Sequence, residues 1–162
     1  MKPGTFRFLI NLWPPFTLAG IHATHVSHDY REVEVTLSLR WYNQNYVGTH
    51  FGGSLFAMAD PWYMLMLMQI LGKEYYVWDQ SASINFITPG RGVVRAKFKI
   101  DDGILSDIRA KTAAGEKYLP QFNIDIVDEK NQLVAQVQKT IYIRKKPSRE
   151  ERQSTTKTGE EV

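Results

Sequence analysis

The chain contains no cysteine among its 162 residues. That excludes disulfides, thiolate metal ligands and a cysteine nucleophile, and it fits a reducing, cytoplasmic compartment. Histidine is scarce: His22, His25, His28 and His50 are the full set. A spacing of three suits a helix face, but the first three fall in a segment that reads as strand and turn. On a strand His25 points away from His22 and His28. No acidic or cysteine partner completes a familiar ligand set, so no metal site is expected and no cofactor is implied. No basic helix or aromatic–basic motif marks nucleic-acid binding. The most apolar run, Trp62 to Leu71, contains Gln69 and falls short of the roughly 20 residues that a membrane span needs. Pro14 and Pro15 interrupt the early apolar stretch, which argues against a signal peptide.

What is there is the material of a globular core. Hydrophobic residues make up 43% and charged residues 23%, the balance of a soluble folded chain. Its length suits one domain, taken as residues 1–145, followed by a charged, disordered tail over 146–162 that lacks apolar periodicity. The net charge of +3 suits either solubility alone or attraction to an anionic ligand such as a nucleotide-bearing thioester.

Lys2 to Leu12 reads as a short helix ended by Trp13-Pro14-Pro15, because proline disfavours helical geometry in the residue before it. Ile21 to Val26 reads as a strand, and Glu32 to Trp41 alternates polar and apolar as a half-buried strand does. Tyr42 to Gly53 is a polar loop. Ser54 to Leu71 reads as a helix closed by Gly72, apolar in nearly every direction and therefore buried on most sides. Strand patterns return at Ser81 to Ile87, Val93 to Ile100, Gln121 to Ile126 and Leu133 to Arg144, the last two joined by a turn at Asp128 to Asn131. Asp102 to Ala114 is open between a helical turn and strand. Short links between strands imply antiparallel pairing, so the fold class is α+β: a curved sheet wrapped around one apolar helix.

One segment carries chemistry. Gly48-Thr49-His50-Phe51-Gly52-Gly53 leads into the apolar helix, and Asp60 then stands alone inside it. Burying an unpaired carboxylate is costly, so its position needs a reason. N–H groups at a helix start lack intrahelical acceptors and can face an anion. Gly53 is therefore the oxyanion-donor candidate, with Gly52 giving the loop freedom to approach a ligand. Asp60 is the candidate base or nucleophile. Asp60-Pro61 is equally the pattern of a helix cap and first helical residue. If the helix instead starts near Gly53, Pro61 lies inside it and kinks it. Asn45 is a candidate for orienting water or a carbonyl, against its role as a turn former. His50 can supply a proton or hydrogen bond from the loop. Met58, Met64, Met66 and Met68 suit either core or an adaptable pocket, as do Trp62, Tyr63, Trp78 and Phe86. Arg91, Arg95, Lys97 and Lys99 suit either a solvated strand face or phosphate contacts.

The arrangement resembles the hot-dog fold of acyl-CoA thioesterases and dehydratases. Asn45, Gly52, Gly53, Ala59 and Asp60 match a motif of phenylacetyl-CoA-type thioesterases: asparagine, a short loop, His-Gly-Gly, then a helix with Ala-Asp. Ile84-Asn85-Phe86-Ile87-Thr88-Pro89-Gly90 is similar to that family's strand and turn after the helix. Phe51 stands where the family has histidine, and His50 lies one residue earlier, so the role of the family's histidine does not transfer directly to His50. The chain is also similar to an uncharacterised hot-dog family of unknown function. The resemblance implies acyl-CoA thioester hydrolysis, with catalytic Asp60, Gly53 and Asn45, and with His50, Phe51, Gly52, Ser81 and Ser83 at the substrate. It implies a homodimer, and a homotetramer as a further assembly, with no cofactor, nucleic acid or membrane span. A non-catalytic acyl-CoA binder and a hydratase or dehydratase are the alternatives. The latter chemistry wants a paired acid and histidine, and no histidine follows Asp60.

Overall fold

The computed structural model describes residues 1–147. The tail expectation therefore lies outside the described residues beyond 147. Lys146 itself belongs to the fold: its N–H donates to Glu74 O, and its ammonium sits 4.8 Å from the Tyr76 ring centre.

Two helices come first, α1 (Pro3–Leu12) and α2 (Pro14–Thr17). Proline opens each, where its missing N–H costs nothing. β1 (Ile21–Val26) and β2 (Glu32–Ser38) follow, the first with the bounds that its sequence predicts and the second three residues shorter. The apolar segment forms α3 (Gly52–Ala59) and α4 (Trp62–Leu71). Then come β3 (Tyr75–Phe86), β4 (Val93–Lys99), α5 (Asp102–Lys111), β5 (Lys117–Tyr118), β6 (Gln121–Val127) and β7 (Leu133–Lys145). The open segment after Asp101 is thus helix. Asp101 caps it by accepting the Ile104 N–H at 2.8 Å. Asn131, at φ 63°, completes the predicted turn between β6 and β7.

All strand pairs are antiparallel, in the order β1-β2-β4-β6-β7-β3, with β5 also pairing β7. Alternation decides the faces. Val33, Val35 and Leu37 of β2 are buried, while Glu32 and Glu34 pair across the outer face with Lys99 and Lys97 of β4. The inner face closes on α3 and α4 through a core that includes Met58, Trp62, Met66, Leu67, Phe98, Ile124, Ile126 and Ile141. This is the hot-dog arrangement, a curved antiparallel sheet around a central helix.

The central helix is bent where it carries Pro61. Proline supplies no N–H at that turn. One carbonyl further on, Met58 O accepts the indole N–H of Trp62 at 2.8 Å. The helical stretch Gly52–Glu74 is long and apolar enough by composition to cross a membrane, which the shorter run picked out from sequence is not. Its bend and its place inside the sheet make it the core helix of this fold.

The two sheet edges differ. β1 is covered by α1, whose Asn11 accepts the Ala23 N–H at 2.7 Å and donates to Ala23 O at 3.0 Å. β3 lies at the other end, and among the described residues no strand pairs with its outer edge. It begins six residues before the strand expected from sequence and contains a bulge between Asp79 and Ser81. Asp79 opposes inward-facing Ile141, whereas after the bulge Ala82 opposes inward-facing Lys139. Gln80 thus switches which residues of β3 face the helix.

Candidate active site

The loop before α3 folds on Asn45. Its Oδ1 accepts the N–H groups of Val47 (3.1 Å) and Thr49 (3.0 Å). Its Nδ2 donates to Thr49 Oγ1 (2.8 Å) and His50 O (3.2 Å). Two acceptor and two donor positions are therefore filled within the loop, which is the full capacity of an amide side chain. Asn45 acts here as a turn former.

His50 is 3% exposed. Its main-chain N–H donates to Gly90 O, and its Nε2 lies 3.1 Å from Gly92 O. A carbonyl only accepts, so Nε2 carries the proton and Nδ1 is left as a buried atom without a protein partner. Burial lowers the imidazole below its ordinary value of 6.5, and the Gly92 hydrogen bond offsets part of that.

Phe51 precedes α3 in extended geometry, and its carbonyl accepts the N–H groups of Ser54 and Leu55. The Gly52 and Gly53 N–H groups lie ahead of any intrahelical acceptor. Each glycine accommodates an aromatic ring. A Cβ on Gly52 would stand 2.8 Å from Phe86 Cζ, and one on Gly53 would stand 2.4 Å from Phe51 Cε1. Close approach of rings explains this pair better than unusual backbone angles, since neither glycine has a positive φ. Asn45, His50, Gly52, Leu55, Phe86 and Pro89 are among the residues around a cavity of about 430 Å³.

Asp60 does not line that cavity. It ends α3 with helical φ −60° and ψ −58°, and Pro61 stands before α4 with no side-chain cap. Asp60 therefore is not the N-cap its Asp-Pro pattern allows. Its carboxylate turns to the sheet, where Oδ1 lies 2.6 Å from Lys139 Nζ. The same ammonium donates to Asp60 O and stands 3.1 Å from Asp79 Oδ1. That last contact pairs the charges without hydrogen-bond alignment. Lys139 is 1% exposed at its side chain, Asp79 29% and Asp60 46%. Burial raises Asp79 above its ordinary carboxylate value of 3.8; Lys139 pulls it back, and the charge of Asp60 pushes it up.

Other expected positions lie apart from the cavity. Ser81 opposes Thr140 and Ser83 opposes Gln138, on the face away from the helix. Arg91 donates to Gly48 O and Arg95 to Asn131 Oδ1, while Lys97 and Lys99 pair with glutamates. Of the methionines, Met58 and Met66 are core. His22, His25 and His28 join no metal-type cluster among the described residues.

Lys139 and Asp79 are the residues that sequence reading missed. The signal is present: in Val137-Gln138-Lys139-Thr140-Ile141 a lysine takes the apolar parity of β7. A buried lysine there needs an anion within reach, and half-exposed Asp60 supplies one.

No curated protein matches the chain in sequence. Among solved structures it is similar to a Pseudomonas aeruginosa protein of unknown function described as a probable thioesterase. The identity is 17%, with 90% of this chain and 97% of that one covered and a TM-score of 0.78. It is similar to a thioesterase of Haemophilus influenzae at 18% identity, covering 92% and 94%, with a TM-score of 0.66. A protein of unknown function from Chlorobaculum tepidum matches at 20% identity, covering 89% and 97%, with a TM-score of 0.69. At these identities the likeness is one of fold. Sequence places the chain more narrowly: it matches the domain of unknown function DUF4442 over residues 5–143 and belongs to that family.

Proposed function

We propose that the protein hydrolyses acyl thioesters, of which acyl-CoA is the leading class, to a free acid and a thiol. One observation carries this reading. The N–H groups of Gly52 and Gly53 open α3 ahead of any intrahelical acceptor, Gly52 at the wall of the cavity, and a carboxylate, Asp60, ends the same helix. Similarity to proteins described as thioesterases supports it.

In the proposed step Asp60 takes a proton from water as the water oxygen adds to the thioester carbonyl. The Gly53 N–H receives the developing oxyanion, C–S cleavage follows, and the proton passes to the departing sulfur. Seven residues of α-helix separate Gly53 from Asp60, roughly 10 Å along the axis at about 1.5 Å per residue. One chain therefore holds the two groups too far apart for one carbonyl. The uncovered edge of β3 offers a solution: a second copy pairing there completes the site from both chains. The assembly is a homodimer on this reading, and the cysteine-free chain works in the cytoplasm.

A second reading, a non-catalytic acyl-CoA binder, is favoured by the Phe51 ring that lies against Gly53. Thiol release from a panel of acyl-CoA substrates separates the two. Wild-type turnover that is lost in Asp60→Asn supports the hydrolase. Tight binding without turnover at any chain length supports the binder.

A further inference from the structure

The hydrolase reading gives Asp60 a task but not the means of holding its place. A carboxylate at a helix bend, half in solvent, has several rotamers available. The bend also frees main-chain groups that a continuous helix would hold. Lys139 meets both needs. Its ammonium touches three acceptor atoms: Asp60 Oδ1, the Asp60 carbonyl oxygen and Asp79 Oδ1. Two of its three N–H donors are used on Asp60, its charge is paired with Asp79, and its side chain is 1% exposed, so it is closed off from a substrate.

The three residues come from three elements. Asp60 belongs to the α3–α4 bend, Lys139 to the inner face of β7, and Asp79 to β3 beside its bulge. Lys139 sits in line with Val137 and Ile141, both buried, so its own position is fixed by packing. Asp79 is the second anion that accompanies the buried cation. Only one oxygen of Asp60 is used, and the side chain remains 46% exposed.

Resting on the thioesterase reading, we propose that Lys139 is a positioning residue for Asp60. It ties one carboxylate oxygen and the main chain of the bend to the sheet, and the other oxygen, Oδ2, is presented to the water that attacks. Asp79 holds Lys139 and does not meet the substrate. Loss of Lys139 lowers kcat because Asp60 moves, and it leaves KM nearly unchanged because Lys139 touches no ligand.

Lys139→Met alone leaves half-buried Asp79 without its cation and can fail to fold. The decisive variant is therefore Asp79→Asn with Lys139→Met, which removes the cation and its half-buried counter-charge together. Ile141→Val, next along the same face of β7, is the control for altered packing. The expected result for the double variant, folded by circular dichroism, is a fall in kcat of about 10²-fold. KM should stay within about threefold of wild type, in keeping with loss of an interaction that acts on the chemical step. Amides of Met64 and Leu65, just past the bend, should exchange with deuterium faster than in wild type. Ile141→Val should keep the wild-type kcat. Wild-type kcat in the double variant overturns the proposal, as does a rise in KM that matches the loss in kcat/KM. Unchanged exchange at the bend also overturns it. Should wild type turn over no thioester, the catalytic role falls with the hydrolase reading, and the exchange measurement alone decides whether Lys139 pins the bend.

Discussion

Lys139 and Asp60 lie 79 positions apart in the chain and meet at 2.6 Å, joining the sheet to the bend of the central helix. The pair converts a proline-broken helix into a fixed point of the fold. Asp79 makes it a group of two anions around one buried cation.

Removing the Asp60 charge tests the chemistry most directly. Asp60→Asn keeps the size of the side chain and can still accept from Lys139. Thioester turnover should fall by about 10²–10⁴-fold, the usual worth of a positioned base. Thiol release measured at saturating substrate checks this, and turnover equal to wild type would remove Asp60 from its role.

Lys139→Met should cost about 1–3 kcal/mol, because it leaves half-buried Asp79 without its cation. Adding Asp79→Asn should recover a large part of that loss. Urea unfolding of the two single variants and the double variant gives the coupling; strict additivity would show that the two charges do not sense each other.

Asp79 also makes stability depend on pH. Its folded value is raised above 3.8, so over the window extending upward from there the folded state holds the proton more readily than the unfolded chain. Its contribution is fully present below 3.8 and is lost as pH rises through the folded value. Asp79→Asn should flatten that loss, seen as a smaller fall in the urea midpoint on going from acid to neutral pH.

His50 has the opposite sign. Burial lowers its folded value below 6.5, so the unfolded chain binds the proton more readily. The contribution is present above 6.5 and is lost as pH falls through the folded value. His50→Gln, which can still donate to Gly92 O, should lose less stability than wild type on acidification below 6.5. Parallel curves for the two proteins in thermal melts across that range would refute it.

Gly52→Ala should reshape the cavity without unfolding the chain. The added methyl would press on the far end of the exposed Phe86 ring, which can swing aside. KM for long acyl thioesters should change more than the melting temperature, and the pair of measurements made on one preparation settles it.

The sequence shows the fold more clearly than the site. Strict alternation in Glu32–Ser38 and Gln121–Val127 fixes both strands, since each buries one face only. Tyr75–Gln80 is harder to read because bulky aromatics occupy both parities, with Tyr76 and Trp78 exposed as well as Tyr75 and Val77 half-buried. The role of Asp60 is unreadable locally, for its partner comes from a strand 79 residues away. Lys139 is legible only once β7 is assigned its faces, because a lone lysine in an alternating strand ordinarily points to water. The glycine pair is visible, but the rings that require it are not: Phe86 reaches Gly52 from a distant strand.

Gln80 acts as a frame-shift in the protein chain. Everything before it in β3 is read in one phase and everything after it in the other, so Asp79 and Phe86 both turn inward although an odd number of positions separates them. Pairing this one residue into a regular ladder would remove the bulge and force a choice. Either Asp79 would lose Lys139, or Ser81 and Ser83 would replace Ala82 and Ile84 against the helix. The unpaired state of Gln80 is therefore as strongly specified as the identity of any side chain around it.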